Sequence, residues 1–340
     1  MAKHTAGFIA ALALLAACQG KKDTEGKAPP VADPGPGSAV ATGSGSAAGS
    51  AAGSGSAAGS GSAAPAASVE TVGDKTIVKA GFSTPESVLH DVESDTYLVS
   101  NINGSPADAD DNGFISRIAP DGKPVAEKWI DGAKDDVKLD APKGSAIVGG
   151  VLYVADIKVV RRFDAKTGAQ QPDIAIEGAT FLNDVAPTAD GGLLVTDSGL
   201  DPKFAPTGTD AIYKIGKDGK VTALAKDKTL GAPNGVLEAK GTVWMTTFGS
   251  GEVASFDAKG KKTLAPKPPK GQLDGLAALP TGELYASSWE GKAVYKLANK
   301  AWTEVVKDVE SPADFAHDTK RNVLVIPLFT QNQVVIVKAP

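Results

Sequence analysis

The chain of 340 residues has a single cysteine, three histidines and two methionines. Cys18 has no partner for a disulfide within the chain. It is also far from His90 and His317, which excludes a His/Cys zinc cluster and a Cys–His nucleophile. Lys and Arg number 35 against 40 Asp and Glu, for a net charge of −5. The basic field that nucleic acid requires is therefore missing. No apolar run reaches the roughly 18 residues of a membrane-spanning helix. No Gly-x-Ser-x-Gly elbow is present, and no stretch carries the 3.6-residue period of an amphipathic helix.

What is present divides into three parts. Residues 1–17 read as a lipoprotein signal peptide: Lys3 and His4 are followed by an apolar core from Phe8 to Ala17. It ends in Leu15-Ala16-Ala17-Cys18, a lipobox-like motif that makes Cys18 the expected lipidation site. Gln19, not Asp, follows, which favours the outer membrane of a bacterial envelope over the inner one. Residues 18–70 then form a tether rich in Gly, Ser and Ala, with Gly-Ser-Gly-Ser-Ala-Ala at 43–48, 53–58 and 59–64. Such a composition has nothing to bury, and as a flexible coil it reaches roughly 35–40 Å. The membrane is thus a partner only through the lipid anchor.

Residues 71–340 repeat themselves. Apolar strands recur at Tyr97-Leu98-Val99, Leu152-Tyr153-Val154, Leu193-Leu194-Val195, Val243-Trp244-Met245, Leu284-Tyr285-Ala286 and Val323-Leu324-Val325. Each opens a unit of several short strands separated by turn residues such as Asp121-Gly122 and Asp218-Gly219. Six units of about 45 residues predict an all-β fold, a six-bladed β-propeller. The sixth unit stops after its third strand, and an unassigned strand, Lys75 to Ala80, precedes the first. That N-terminal strand is expected to close the ring.

Residues at the start of each inner strand point at the channel axis. Here they are Pro85-Glu86-Ser87, Pro142-Lys143-Gly144, Leu182-Asn183-Asp184, Pro233-Asn234-Gly235, Leu273-Asp274-Gly275 and Pro312-Ala313-Asp314. Glu86, Asn183, Asn234 and Asp274 offer oxygen donors at one phase. Two carboxylates and two amides suit a hard divalent cation, Ca²⁺ first, with Mg²⁺, Zn²⁺ and Mn²⁺ as alternatives. Taken singly, Asn-Gly and Asp-Gly also read as plain turns.

This set of motifs resembles the senescence-marker-protein/gluconolactonase/luciferin-regenerating-enzyme family, which is similar to the paraoxonases. The resemblance implies a six-bladed propeller with one axial divalent metal, held by Glu86, Asn183, Asn234 and Asp274. It further implies Asp274 as general base and Asp184 as a residue of a second, structural calcium. Sugar-lactone hydrolases of this kind carry an Arg two residues before the Asn at 183; here that place is Phe181. The resemblance thus points to a hydrolase of lactones or esters that are apolar, not sugar-like. The alternative is a non-catalytic binding module or scaffold in the envelope. A small-molecule partner and a monomer are expected in either case.

Phe248, Trp289 and Phe329 occupy equivalent places in three consecutive units. With Phe181 they form either a substrate-binding aromatic rim or blade-to-blade packing. The loop from Asn103 to Asn112, with Asp108, Asp110 and Asp111, reads as solvated, with calcium binding as the other option. His90-Asp91 and His317-Asp318 match in phase on the opposite face and read as hydrogen-bonding turn residues.

Overall fold

The computed structural model describes residues 67–279 and 281–340. The signal peptide, Cys18 and nearly all of the tether lie outside the described residues. Among the latter, every regular element is a β-strand, and the strands form six sheets. Five sheets have four antiparallel strands in chain order, with inner strands Pro85–Asp91, Pro142–Val148, Leu182–Pro187, Pro233–Ala239 and Leu273–Ala278. The sixth begins with the short strand Ala316–Asp318. This is the six-bladed β-propeller that the repeat length predicts.

Burial falls from the axis outward. In the third blade the second strand, Leu193–Asp197, is buried along its whole length, whereas the outermost strand, Val221–Lys226, is largely open to solvent. A second strand is covered on both faces by neighbouring blades, so it reads as a continuous apolar run; an outer strand is not. The cores lie between blades. Leu194 and Ile212 of the third blade pack with Met245 and Phe256 of the fourth. Val78, Tyr97, Ile118, Val325 and Ile336 join the last blade to the first.

The last blade draws on both ends of the propeller. Lys75–Lys79 pairs antiparallel with Gln333–Lys338, setting Lys75 opposite Val337 and Val78 opposite Val334. A fifth strand, Ser68–Val72, adds outside it. That strand starts inside the segment that composition gives to the tether. Its residues are mostly exposed, including Val69 and Val72, so no buried face distinguishes it from a polar linker.

Candidate functional site

Each of the five long inner strands slips register in its first residues. Pro85 pairs with Asn101 and Ser87 with Ser100, which leaves Glu86 unpaired. The same slip occurs between Pro142 and Ser145, Leu182 and Val185, Pro233 and Val236, and Leu273 and Leu276. A bulge frees a residue from the ladder and re-aims its side chain. Here the freed residues are the axial ones: Glu86, Lys143, Asn183, Asn234 and Asp274. Proline is tolerated at 85, 142 and 233 because it stands first in its strand.

The glycines that follow are not turn formers. Gly144, Gly235 and Gly275 lie within strands, and none has positive φ. They make room for the next blade. A Cβ on Gly144 would stand 2.0 Å from Asp184 Oδ1; on Gly235, 2.6 Å from the Asp274 carbonyl oxygen; on Gly275, 2.7 Å from Asp314 Cα. Hydroxyls then latch one blade to the next. Thr196 Oγ1 donates to the Asn234 carbonyl at 2.6 Å, Thr246 Oγ1 to that of Asp274 at 2.5 Å, and Ser287 Oγ to that of Ala313 at 2.9 Å. These hydroxyls fix the backbone of the axial residues, yet in the sequence they look like ordinary strand residues.

The outcome is a cluster of buried oxygens without partners. Glu86 Oε2, Asn183 Oδ1, Asn234 Oδ1 and Asp274 Oδ1 are all buried, make no hydrogen bond, and line one cavity. Asn183 is oriented for this. Its amide nitrogen donates to Ser198 Oγ at 3.0 Å, and Ser198 donates on to the Pro233 carbonyl. The amide oxygen is left for the axis. Desolvation pushes the Asp274 carboxyl up to about 8, aided by the charge of Asp184 and opposed by the nearby indole N–H of Trp289. Desolvation, with the carboxylates of Asp274 and Asp314, likewise raises Glu86 well above the usual range. Among the described residues no three His, Cys, Asp or Glu side chains cluster as a metal site by themselves. Half of the axial donors are amides.

The residues one place on behave differently. Asp184 accepts the Val185 and Val236 amides, each at 2.7 Å. Asp314 Oδ2 accepts the Ser87 hydroxyl at 2.6 Å. Asp184 is buried and Asp314 half-buried, and desolvation raises Asp184 to about 6 and Asp314 well above its ordinary value. Neither has a buried oxygen without a partner.

Sequence reasoning passed over Lys143, which fills the axial place in the second blade. It is 1% exposed, lines the same cavity, and donates from Nζ to the Ala141 carbonyl at 3.0 Å. Nζ stands 4.6 Å from the centre of the Phe181 ring. Burial lowers it to about 8, against the attraction of Glu86, so the ammonium form prevails at neutral pH.

The walls are apolar. Phe248 meets Trp289 edge-on at 5.4 Å, Trp289 meets Phe329 at 5.0 Å, and all three line the cavity. Phe181 stands apart from this trio and packs against Phe204 at 6.1 Å. The loop from Asn103 to Asn112 and a second long loop, from Gly199 to Asp210, meet over the site, where Ala107 joins Phe181, Phe204 and Leu200. Phe204 holds φ at 60°, rare for an aromatic residue, and Asp201 fixes the turn by accepting the Lys203 and Ala205 amides at 2.8 Å. The loops leave a cavity of only about 70 Å³. The acidic residues of the first loop do not converge: Asp111 pairs with Lys138, and Asp110 accepts from Asn112. His90 and His317 each reach five residues on, to Asp95 at 3.2 Å and Asn322 at 3.1 Å, as hydrogen-bonding turn residues.

No family model matches the chain, and no curated protein matches it. Solved structures do. A gluconolactonase from Xanthomonas campestris superposes with a TM-score of 0.62 at 17% identity, over 82% of this chain and 96% of that one. A catalytically inactive virginiamycin B lyase from Staphylococcus aureus, solved with quinupristin, gives 0.56 at 14% identity, over 79% and 93%. A streptogramin B lyase gives 0.54 at 12%, over 78% and 97%. The chain therefore shares the propeller fold of gluconolactonases, and at these identities the likeness establishes the fold alone. The resemblance drawn from the axial motifs holds at that level.

Proposed function

We propose that this chain is a divalent-cation-dependent hydrolase of small apolar lactones or esters. One observation carries the reading: four buried, unpartnered oxygens from four blades line one cavity. A buried polar atom without a partner is costly. Four at one place fit a cation that satisfies them together. Glu86, Asn183, Asn234 and Asp274 would hold it, and the all-oxygen donor set fits Ca²⁺.

Such a cation supplies Lewis acidity toward a substrate carbonyl and toward water. The rest falls to the chain. Asp274 accepts the proton of the attacking water, and the Trp289 indole N–H beside it steadies the carboxylate. Phe248, Trp289 and Phe329 hold an apolar or flat body and keep bulk water out. Phe181 offers no charged grip on sugar hydroxyls. The gluconolactonase neighbour supports the reaction class, and the aromatic walls argue against a polyol.

The test is calorimetric titration of the EDTA-treated full chain with Ca²⁺, then a panel of lactones and aryl esters with and without chelator. Chelator-sensitive turnover, faster on apolar lactones than on gluconolactone, is expected. Absence of Ca²⁺ binding overturns the cation, and binding without turnover leaves the envelope binding module. We place the protein at the outer membrane, held by lipid on Cys18. Metabolic labelling with a fatty-acid analogue should mark the chain and be lost in Cys18→Ala.

A further inference from the structure

Lys143 is the one cation among the charged side chains lining the cavity; the other two are Glu86 and Asp274. It is a buried ammonium with three donors and one hydrogen bond, to the Ala141 carbonyl. No carboxylate among the described residues stands within ion-pair distance of it. The nearby acids that attract it from the side are already engaged. Asp156 holds Arg161 at 2.6 Å and accepts the Ala141 amide at 2.7 Å, and Asp140 holds Arg161 at 2.8 Å. Glu86 attracts Lys143 without bonding it. A buried charge left in this state is expensive unless a partner arrives. The face of Phe181 offsets only part of that cost.

We propose that Lys143 is the anion receptor of this pocket, and that the pocket takes a small monocarboxylate with an apolar body. This deepens the hydrolase reading and rests on it for one identification: the carboxylate is that of the acid released from an apolar lactone or ester. Charge supports the match. A divalent cation with Glu86 and Asp274 sums to zero, and Lys143 then leaves a single positive charge. A neutral ester does not balance that charge, whereas its acid product does. The apolar part of the ligand lies against the aromatic walls, and the carboxylate meets the donors that Nζ leaves unused.

The test uses the full chain, with saturating Ca²⁺ and again with EDTA, at pH 6.5 so that the ammonium form prevails. Butyrate and its neutral isostere butyramide are titrated by ligand-observed NMR. The parent chain should prefer butyrate by roughly tenfold to a hundredfold, the worth of a charge-assisted hydrogen bond. Lys143→Met, which keeps the length and apolar stem, should abolish the preference, and Lys143→Arg should retain much of it. A parent chain with no preference overturns the proposal without recourse to any variant. Preference that persists in Lys143→Met overturns it too, because the anion is then held by the cation alone; the hydrolase reading survives that result. If the preference depends on Lys143 but no lactone or ester is turned over, the receptor stands and the hydrolase reading fails.

Discussion

Asn183 and Asp184 are neighbours in sequence and equally removed from water, yet they sit in opposite electrostatic conditions. Asn183, with Glu86, Asn234 and Asp274, belongs to an upper tier whose oxygens lack partners. Asp184, with Asp314, belongs to a lower tier whose carboxylates accept backbone amides or a hydroxyl. Burial alone therefore does not mark a functional acid. What separates the tiers is whether the fold itself satisfies the group. The lower tier is complete without a ligand and serves the ring; the upper tier is complete only with something added.

The sharpest test of this contrast is Asp274→Asn. An amide oxygen still coordinates but accepts no proton, so turnover should fall about 10²–10⁴-fold while Ca²⁺ affinity in calorimetry falls far less. Glu86→Gln should show the reverse order, losing affinity first.

Next in size is the effect of the cation on stability. At a Ca²⁺ concentration about 100 times its dissociation constant, unfolding should cost roughly 2.7 kcal/mol more than in EDTA. Without the cation, pH should act in a defined direction. Asp184 and Asp274 titrate near 6 and 8 in the folded chain, above their ordinary value of 3.8, so the folded state holds protons more tightly than the unfolded one. Their stabilising contribution is complete below about pH 4 and is lost as pH rises through 6 and 8. The urea midpoint in EDTA should fall across that window, and Ca²⁺ should reverse the fall.

The lower tier should respond in stability alone. Asp184→Asn turns an amide group toward one of two backbone donors and should cost about 1–3 kcal/mol, with Ca²⁺ affinity nearly unchanged. The smallest effect expected is at the latches. Thr246→Val removes a hydrogen bond to the Asp274 carbonyl and should cost roughly 1 kcal/mol in chemical denaturation.

Much of the upper tier was legible because it is repeated. Glu86, Asn183, Asn234 and Asp274 stand at one phase of a repeat, and phase survives translation into three dimensions as a shared axis. Lys143 stood at the same phase and was passed over because it offers no oxygen; a search for ligands of one kind hides a group of opposite charge. The glycines at 235 and 275 look like turn signals because sequence shows a residue's neighbours in the chain and not the blade packed across from it. The lid over the site was illegible for a different reason. It depends on Phe204 in a left-handed conformation that no propensity favours, fixed by a local turn at Asp201. The strand Ser68–Val72 shares the polarity of the linker before it, so composition assigns its first three residues to the linker.

The closing blade has a consequence for the order of assembly. Lys75 faces Val337, so the pairing that completes the ring joins opposite ends of the propeller and cannot form until the last strand has emerged. Closing a flexible loop of that span would be slow, although its entropy rises only by about 0.6 kcal/mol per doubling of length. Blades that have already folded shorten the free chain, because they carry its two ends around a circle toward one another. Ring closure is then the final and most non-local step, and the strand made first waits longest for its partner.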